Sequence, residues 1–194
     1  MATKTGNKKQ RWLDEGLTLL AQQGADGLTI DALLGRLEVT KGSFYHHFKN
    51  RKAFTEELLG YWAHEFTSEV IRYSEEGGSV PEKLERLMSV SVTKVNLPLE
   101  IAIRAWAMID PQVAVFQQKV DQQRQAYCCQ LCEGLLEDPG LAQVWGRMLF
   151  SVYVGTQQML PTPTKSEMAA VFEETRKLLQ AASITKLKES NEGV

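Results

Sequence analysis

The stretch VTKGSFYHHFKNRKAF, residues 39–54, places a small, basic, hydroxyl-bearing turn directly before aromatic rings and two adjacent histidines. Its charges do not alternate with its aromatic residues, as they would along a half-buried strand. The two histidines would suit metal or acid–base chemistry, whereas the basic side chains would suit phosphate. The segments on either side of the stretch decide which chemistry it serves.

Helical periodicity dominates the chain around this stretch. Gly24 supplies a helix stop, and Thr29 and Asn50 are good N-caps because their side-chain oxygens can accept an orphan backbone N–H. We therefore predict helices over residues 7–23, 30–36 and 41–47, followed by a long fourth helix over residues 50–74. Its apolar residues fall four apart, at Phe54, Leu58, Trp62, Phe66 and Val70.

The rest of the chain also reads as helices, separated by proline-containing breaks. Each break starts a new helix because proline fits the first helical turn, and Asp110 is an N-cap before Pro111. The predicted later helices cover residues 81–96, 97–109, 111–137, 139–159 and 166–187. The fold class is therefore all-α, with three short helices followed by about six longer ones.

Charge is distributed unevenly along the chain. The formal net charge is −2, but residues 1–52 hold nine Lys or Arg and five Asp or Glu, whereas residues 53–194 carry a net charge of −6. A basic head on an acidic body is expected when one end meets a polyanion. No secretory signal or membrane span is visible, and an odd count of three cysteines favours a reducing, cytoplasmic location.

Two short helices joined by a tight turn indicate a helix-turn-helix, whose second helix enters the DNA major groove. The leading turn of that helix is small enough for close approach to DNA, and its hydroxyls and lysine can reach bases or phosphates. The groups that follow can donate to phosphate oxygens, close to the N-terminus of the fourth helix, which favours anions. These groups are Tyr45, His46, His47, Lys49, Arg51 and Lys52.

Other roles for the same residues are less well supported. Phe44 and Phe48 fall on the opposite helical face from Lys41 and Tyr45, and we expect them in the core. Adjacent His46 and His47 point about 100° apart on a helix, so they do not form a metal pair. We predict no metal site, no cofactor and no catalytic residue, because the sequence shows neither a nucleophile motif nor a glycine-rich phosphate loop.

Residues 9–58 resemble the TetR family of transcriptional repressors. The resemblance rests on a helix ending in glycine, a threonine that starts the second helix, a turn, and a small-residue tip. An aromatic residue followed by tyrosine, a later phenylalanine and a basic cap complete the pattern. The segment KGSFYHHFKNR, residues 41–51, is similar to the family's recognition helix nearly residue for residue.

The resemblance implies a homodimeric repressor that a small-molecule effector releases from a palindromic operator in double-stranded DNA. It implies a DNA-binding domain over residues 1–52 and a helical effector-binding and dimerisation domain over residues 53–194. By analogy, the DNA contacts are Thr29, Thr40, Lys41, Gly42, Ser43, Tyr45, His46, His47, Lys49 and Lys52.

Two departures from the family pattern affect the turn and the second helix. The family has glycine in the turn, where this chain has Glu38. In a left-handed conformation a non-glycine residue costs roughly 1 kcal/mol, and its carboxylate would lie near the DNA. Leu34 and Leu37 replace small residues, which would widen the helix crossing. These features keep open the alternative of a helical adaptor with degenerate DNA binding.

The C-terminal segment does not name an effector. Aromatic and methionine side chains could line an apolar pocket, although helical spacing suits an ordinary core equally well. Arg104 could meet an anionic ligand or an internal carboxylate from Glu65, Glu69 or Glu100. The pocket candidates are Trp62, Phe66, Arg104, Trp106, Met108, Tyr127 and Trp145. A family member without an effector, acting through protein partners or DNA organisation, remains a second alternative.

The last two helices carry apolar stripes that predict a buried face, within one chain or between two. In the family such helices form a four-helix bundle with their twofold mates. The candidates are Leu141, Trp145, Met148, Val152, Met168, Val171, Thr175 and Leu178. Cys128, Cys129 and Cys132 share one helix and are expected to be buried small hydrophobes, with a thiol sensor as the alternative.

Overall fold

The computed structural model describes the backbone of residues 4–192 and the side chains of residues 8–183. This part of the chain holds no strand and confirms the all-α fold class. Helix α4, a π-helical turn and α5 follow one another without a break, so the helices of residues 4–192 form nine rods. The elements are α1 Lys4–Gly27, α2 Ile30–Leu37, α3 Lys41–His47, α4 Arg51–Ala63, the π turn His64–Ser68, α5 Glu69–Glu75, α6 Val80–Thr93, α7 Leu97–Ala107, α8 Pro111–Glu133, α9 Pro139–Gln158 and α10 Lys165–Glu192.

The predicted N-caps are confirmed. Thr29 Oγ1 accepts a hydrogen bond of 3.1 Å from the Ala32 N–H, and Asn50 Oδ1 accepts one of 2.8 Å from the Ala53 N–H. Asp110 Oδ1 does the same for Gln112 at 2.9 Å. Each cap stabilises its helix by about 1 kcal/mol, so side chains from the sequence itself define these boundaries.

Gly24 interrupts α1 where a stop is predicted. Its φ of 69° and ψ of −170° are not helical, although the helical segment continues to Gly27 on the far side of the kink. A positive φ suits glycine because the residue has no Cβ. The long rod therefore changes direction at Gly24 before the chain enters α2.

The π turn shifts the buried face of the long fourth rod. Up to Trp62 the buried positions follow the predicted spacing of four, but the next fully buried position is Thr67 and not Phe66. A π turn inserts one extra residue into the helical repeat, so every later side chain rotates by one position. Phe66 and Val70, which continue the spacing of four, are for this reason only half-buried, and Phe66 packs at the edge of the core of unit 1.

The chain divides by contacts into two compact units, and unit 1 comprises Met1–Phe66 with Asn96–Val120. Within unit 1, α1 packs against α2, α4 and α7. The buried Trp62 indole donates a hydrogen bond of 3.0 Å to the Glu100 carboxylate, which is itself buried. This contact division differs from the predicted boundary after residue 52, which separates functions and remains a prediction.

Unit 2 comprises Thr67–Val95 with Asp121–Val194. In it α6 packs against α5 and α10, and α9 packs against α10. Helices α8 and α9 are in close contact at Gly146, where an added Cβ would lie 2.4 Å from Cys129 Cα and 2.6 Å from Cys129 N. The close contact of these two helices therefore requires a residue without a side chain at position 146.

The three cysteines are buried in unit 2 and form no disulfide. Burial raises the pKa of the Cys128 and Cys132 thiols to about 12, and it also raises the pKa of Cys129. A thiol with a raised pKa is almost entirely protonated near neutral pH and is a poor nucleophile. The structure thus places these residues where small hydrophobic side chains belong.

Candidate nucleic-acid interface

Helix α3 is fixed to unit 1 by an aromatic cluster on one of its faces. Phe44 and Phe48 are 0% and 1% exposed, as predicted for core residues. The Phe44 ring centroid lies 5.5 Å from that of Trp12 on α1 and 5.6 Å from that of Phe54 on α4. The Phe48 and Phe54 rings meet edge to face at 5.0 Å. Seven residues of helix are therefore immobilised by rings from two longer helices.

The opposite face of α3 is turned to solvent. Lys41, Gly42 and His46 are exposed, and Tyr45 is 49% exposed. A Cβ at Gly42 would meet only the Thr40 hydroxyl oxygen, at 3.9 Å, among the residues that the structure describes. Packing within the chain therefore gives no reason for glycine at position 42.

The side chains around this face retain the groups needed for an external partner. Thr40 is exposed and precedes α3 without making a side-chain cap hydrogen bond. Ser43 is half-buried in the first turn of the helix. Thr29 is exposed, and its oxygen accepts from Ala32, which leaves its hydroxyl proton as a donor.

Glu38 forms the turn between α2 and α3. Its φ of 55° and ψ of 45° place it in the left-handed region, and it is exposed. The backbone N–H groups of Glu38 and Val39 both donate to the Leu34 carbonyl, the latter at 3.2 Å. The left-handed conformation considered for this turn is therefore present, and glycine would adopt it with less strain.

The N-terminus of α4 adds a second set of basic groups. Lys49 and Lys52 are exposed on either side of the Asn50 cap. Arg51, in contrast, donates a hydrogen bond of 3.3 Å to the Leu28 carbonyl and so links α4 to the connection before α2. The first two side chains can contact an anion, whereas the third holds the domain together.

His47 reveals two lysines that the predicted contact set omits. It is half-buried, and burial is the largest cause that lowers its pKa from the ordinary value of 6.5. Positive charge on His46, Lys9 and Lys8 lowers the pKa further. The basic surface therefore includes the start of α1. The run NKKQR at residues 7–11 was the available sequence signal for this extension.

The seven pocket candidates fall into both units. Trp62 and Trp106 are core residues of unit 1, where Phe66 and Arg104 are half-buried. Tyr127 lies in the core of unit 2 and its hydroxyl donates to Glu75 at 2.7 Å, while Trp145 packs at the edge of the same core. Met108 is 83% exposed, which does not fit the lining of an apolar pocket.

The dimer candidates also differ in exposure. Met148, Val171 and Leu178 are 47%, 44% and 62% exposed and remain candidates for contact with a second copy. Met168 is 2% exposed in the interior of unit 2, so its assignment to a dimer face is wrong. Its turn of α10 faces the chain's own core instead of solvent. The remaining candidates are half-buried: Leu141, Trp145, Val152 and Thr175.

Three further findings concern the part of the chain that the structure describes. No group of three or more His, Cys, Asp or Glu side chains there is arranged to hold a metal ion. The His46 and His47 ring centroids lie 5.1 Å apart with their planes tilted by 72°. No helix there is long and apolar enough to cross a membrane.

Residues 13–58 match the family model described as bacterial regulatory proteins, tetR family. The Transposon Tn10 TetC protein of Escherichia coli is 42% identical over 43 residues, which are 22% of this chain and 22% of that protein. The Biofilm operon icaADBC HTH-type negative transcriptional regulator IcaR of Staphylococcus aureus is 33% identical over 51 residues, or 26% of this chain and 27% of that protein. The matches thus span about a quarter of these relatives.

The similarity of fold extends over nearly the whole chain. A TetR-family transcriptional regulator from Streptomyces coelicolor superimposes with a TM-score of 0.77 and 13% sequence identity. The match covers 91% of this chain and 95% of that one. The sequence similarity is therefore concentrated in α1 to α4, the part that carries the exposed polar face of α3, whereas the later helices share only the fold.

Proposed function

This chain belongs to the TetR family of bacterial transcriptional regulators, and on that premise we propose that it is a cytoplasmic, dimeric repressor of transcription. Its N-terminal domain binds a palindromic operator, and a small-molecule effector held by the later helices releases it. TetR-family proteins are DNA-binding regulators and not enzymes, which agrees with the lack of catalytic motifs in the sequence.

The observation that carries this proposal is the two-sided character of α3. Its buried face is a tight aromatic cluster, so the helix does not need its other face for folding. That other face presents Lys41 and Tyr45 one turn apart, with an open Gly42 between them. A rigid, exposed helix with small residues at its start is what major-groove recognition requires.

Dimerisation and repression, as opposed to activation, of transcription are supported by separate observations. Helices α9 and α10, which pack against each other, both expose apolar side chains, and such faces are commonly covered by another molecule. They include Val144, Met148, Val171 and Leu178. A dimer would bring two recognition helices about 34 Å apart, into successive major grooves. The relative from S. aureus is a negative transcriptional regulator by name, which favours repression.

The proposal is tested by selecting bound sequences from random duplex DNA at two salt concentrations. We expect an enriched palindrome whose affinity falls steeply with salt, because several phosphate contacts release counterions. Lys41→Ala and Tyr45→Ala should each lower affinity for that palindrome by roughly tenfold or more, without loss of helical circular dichroism. Lys119→Ala removes another exposed lysine of unit 1, from α8, and serves as the matched control.

Intact binding by both α3 variants would refute this assignment of the interface. A folded dimer that enriches no sequence would instead favour the adaptor alternative, for which the left-handed Glu38 is the specific observation. In that case Glu38 would be the first residue to change. An operator whose occupancy responds to no small molecule would favour a family member without an effector.

A further inference from the structure

A small cavity lies in unit 2 where the connection between α8 and α9 meets α10, and the Ser183 hydroxyl joins the two by donating to the Leu135 carbonyl at 2.9 Å. The cavity has a volume of about 100 Å³. Its three leucines belong to the core of unit 2 or pack against it. None of the seven pocket candidates from the sequence lines this space, whose apolar lining comprises Leu135, Leu136, Leu141 and Ala182.

The size of the cavity suits a short aliphatic chain. One water molecule takes up about 30 Å³ of the liquid, so the space holds roughly three to four groups the size of a methylene. Protein interiors are otherwise close-packed, and an unfilled apolar space lowers stability. Leu135, Leu141 and Ala182 are half-buried, so a ligand can remove more of their surface from water. Hydrocarbon in this space is therefore more favourable than water.

The polar part of the lining favours a positive charge. Glu137 is exposed, and its carboxylate forms no ion pair or hydrogen bond with the residues that the structure describes. Asp138 contributes a second carboxylate, whose Oδ1 accepts from the Gly140 and Leu141 N–H groups at 2.9 and 3.1 Å. No lysine, arginine or histidine is among the lining residues that the structure describes. Both carboxylates also follow closely the C-terminal end of α8, where helix carbonyl groups favour a cation.

We propose that this cavity binds a small aliphatic primary ammonium ion. Its chain of about three to four carbons packs against the leucines and Ala182, which fills the apolar space. Its N–H groups donate to the Glu137 carboxylate and to a lone pair of the Ser183 hydroxyl oxygen. The inference rests on the regulator proposed above, because it names the chemical class of the effector.

The cavity adjoins the surface proposed for dimerisation. Leu141 lines the cavity and is also a dimer candidate, and the exposed Leu178 lies one turn before Ala182 on the same face of α10. A ligand bound here therefore acts on the end of α9 and α10 where two copies are proposed to pair. Ligand binding is thereby linked to operator binding, which needs the dimer.

The test measures binding of butylammonium to the full-length protein by calorimetry and ligand-observed NMR. We expect saturable binding with a Kd on the order of 1 mM, which is what so small a ligand allows. Ethylammonium buries less of its chain and should bind about tenfold more weakly. Butanol has the same chain without the charge and should bind several-fold more weakly. No saturable binding of butylammonium, or equal binding of butanol, would overturn the proposal.

A cavity-filling variant locates the apolar part of the site. Ala182→Leu should abolish butylammonium binding and leave the urea midpoint of the free protein unchanged or higher, because the added side chain occupies space that already exists. Ala181→Leu places the same side chain at the exposed neighbouring position and should bind like the wild type. A folded Ala182→Leu protein that still binds butylammonium would contradict the inference.

A charge variant locates the ammonium group. Glu137→Gln keeps the shape of the side chain, and it should weaken butylammonium binding a few-fold and leave butanol binding unchanged. Glu133 lies outside the cavity and accepts a hydrogen bond of 2.7 Å from Gln143, so Glu133→Gln should leave the binding of both compounds unchanged. An equal loss in the two variants would mean that the general negative charge of this region, and not the cavity, attracts the ammonium ion.

These measurements use no DNA, so they separate the ligand from the regulator. Selection of an operator without any butylammonium binding would remove the ligand inference and leave the DNA-binding proposal intact. Butylammonium binding without any selected operator would do the reverse. When both occur, butylammonium should weaken operator binding by the wild type and leave operator binding by Ala182→Leu unchanged.

Discussion

Two glycines in different regions of the molecule are present for opposite reasons. At Gly146 an added Cβ would fall 2.4 Å from the backbone of Cys129, so the space is already occupied by the chain itself. At Gly42 the nearest atom would be 3.9 Å away, so the space is open. The atoms that an added methyl group would meet thus distinguish two kinds of glycine. Folding requires the glycine whose methyl group would collide with the chain, whereas an external partner can require the one whose methyl group would meet open space.

The largest expected effect is that of Gly146→Ala. The new methyl group would collide with backbone atoms, which cannot rotate away, and we expect the free energy of unfolding to fall by about 3 kcal/mol. Gly155→Ala, on the same helix, is the control: nothing lies within 4 Å of its Cβ, and it should stabilise by about 0.5–1 kcal/mol. Urea denaturation measures the free energy of unfolding of the two variants. Equal stabilities would contradict a close α8–α9 contact.

Gly42→Ala should leave folding intact and damage DNA binding. The free chain has room for the methyl group. In the complex the methyl group would lie against the DNA backbone, so we expect the affinity for the selected operator to fall roughly tenfold. Gly35→Ala in α2, which also has nothing within 4 Å, should raise stability without changing affinity. Fluorescence anisotropy with labelled operator compares the two. Wild-type affinity of Gly42→Ala would mean that DNA does not approach this turn.

Glu38→Gly should raise stability modestly, since glycine adopts the left-handed turn without the steric penalty of a Cβ. We expect a gain of about 0.5–1 kcal/mol after allowing for the greater freedom of glycine in the unfolded chain. Loss of the carboxylate should also tighten operator binding slightly. Glu38→Gln removes the charge and keeps the backbone strain. It should therefore tighten operator binding slightly and leave the stability unchanged. A stabilising Glu38→Gln would contradict the strain argument.

The smallest expected effect is a pH dependence that originates at His47. Its pKa in the folded chain is lowered below 6.5, so protonation favours the unfolded state. The stability contribution is fully present above pH 6.5 and is lost as the pH falls through the window below it. A DNA phosphate would raise the same pKa, so operator binding should take up a proton and strengthen a few-fold between pH 8 and pH 6.

His47→Gln should reduce the pH dependence of stability and the pH dependence of operator binding. Thermal unfolding and operator binding measured between pH 8 and pH 6 would test this. His46→Gln is the control on the exposed neighbour. If operator binding by the wild type weakens as the pH falls, His47 is not at a phosphate.

Local signals in the sequence were sufficient to predict the helix boundaries around α2, α3 and α4 and the start of α8. The bounds of α3 agree with the prediction, and Thr29, Asn50 and Asp110 cap their helices as expected. These successes share a cause: a cap hydrogen bond or an apolar repeat involves residues within one turn of each other. The burial of Phe44 and Phe48 followed from the same short-range argument, because only one face of a surface helix can meet a core.

Features that depend on distant residues were not predictable. Nothing near Gly146 in the sequence indicates that Cys129 lies against it. Apolar spacing placed Met108 and Met168 on buried or shared faces, yet it cannot tell which partner covers a face, and the first is exposed while the second is internal. The cavity between Leu141 and Ala182 is likewise a property of packing in three dimensions, so the sequence around either residue does not indicate it.

The π turn at His64–Ser68 has a consequence for aligning this chain with its relatives. The turn accommodates one residue more than an uninterrupted α-helix would, and the buried positions before and after it are offset by that residue. Equivalent side chains in a relative with a continuous helix are therefore recovered only when the alignment opens a gap of one position between Trp62 and Thr67. An ungapped alignment would pair every downstream residue with the wrong face of the helix.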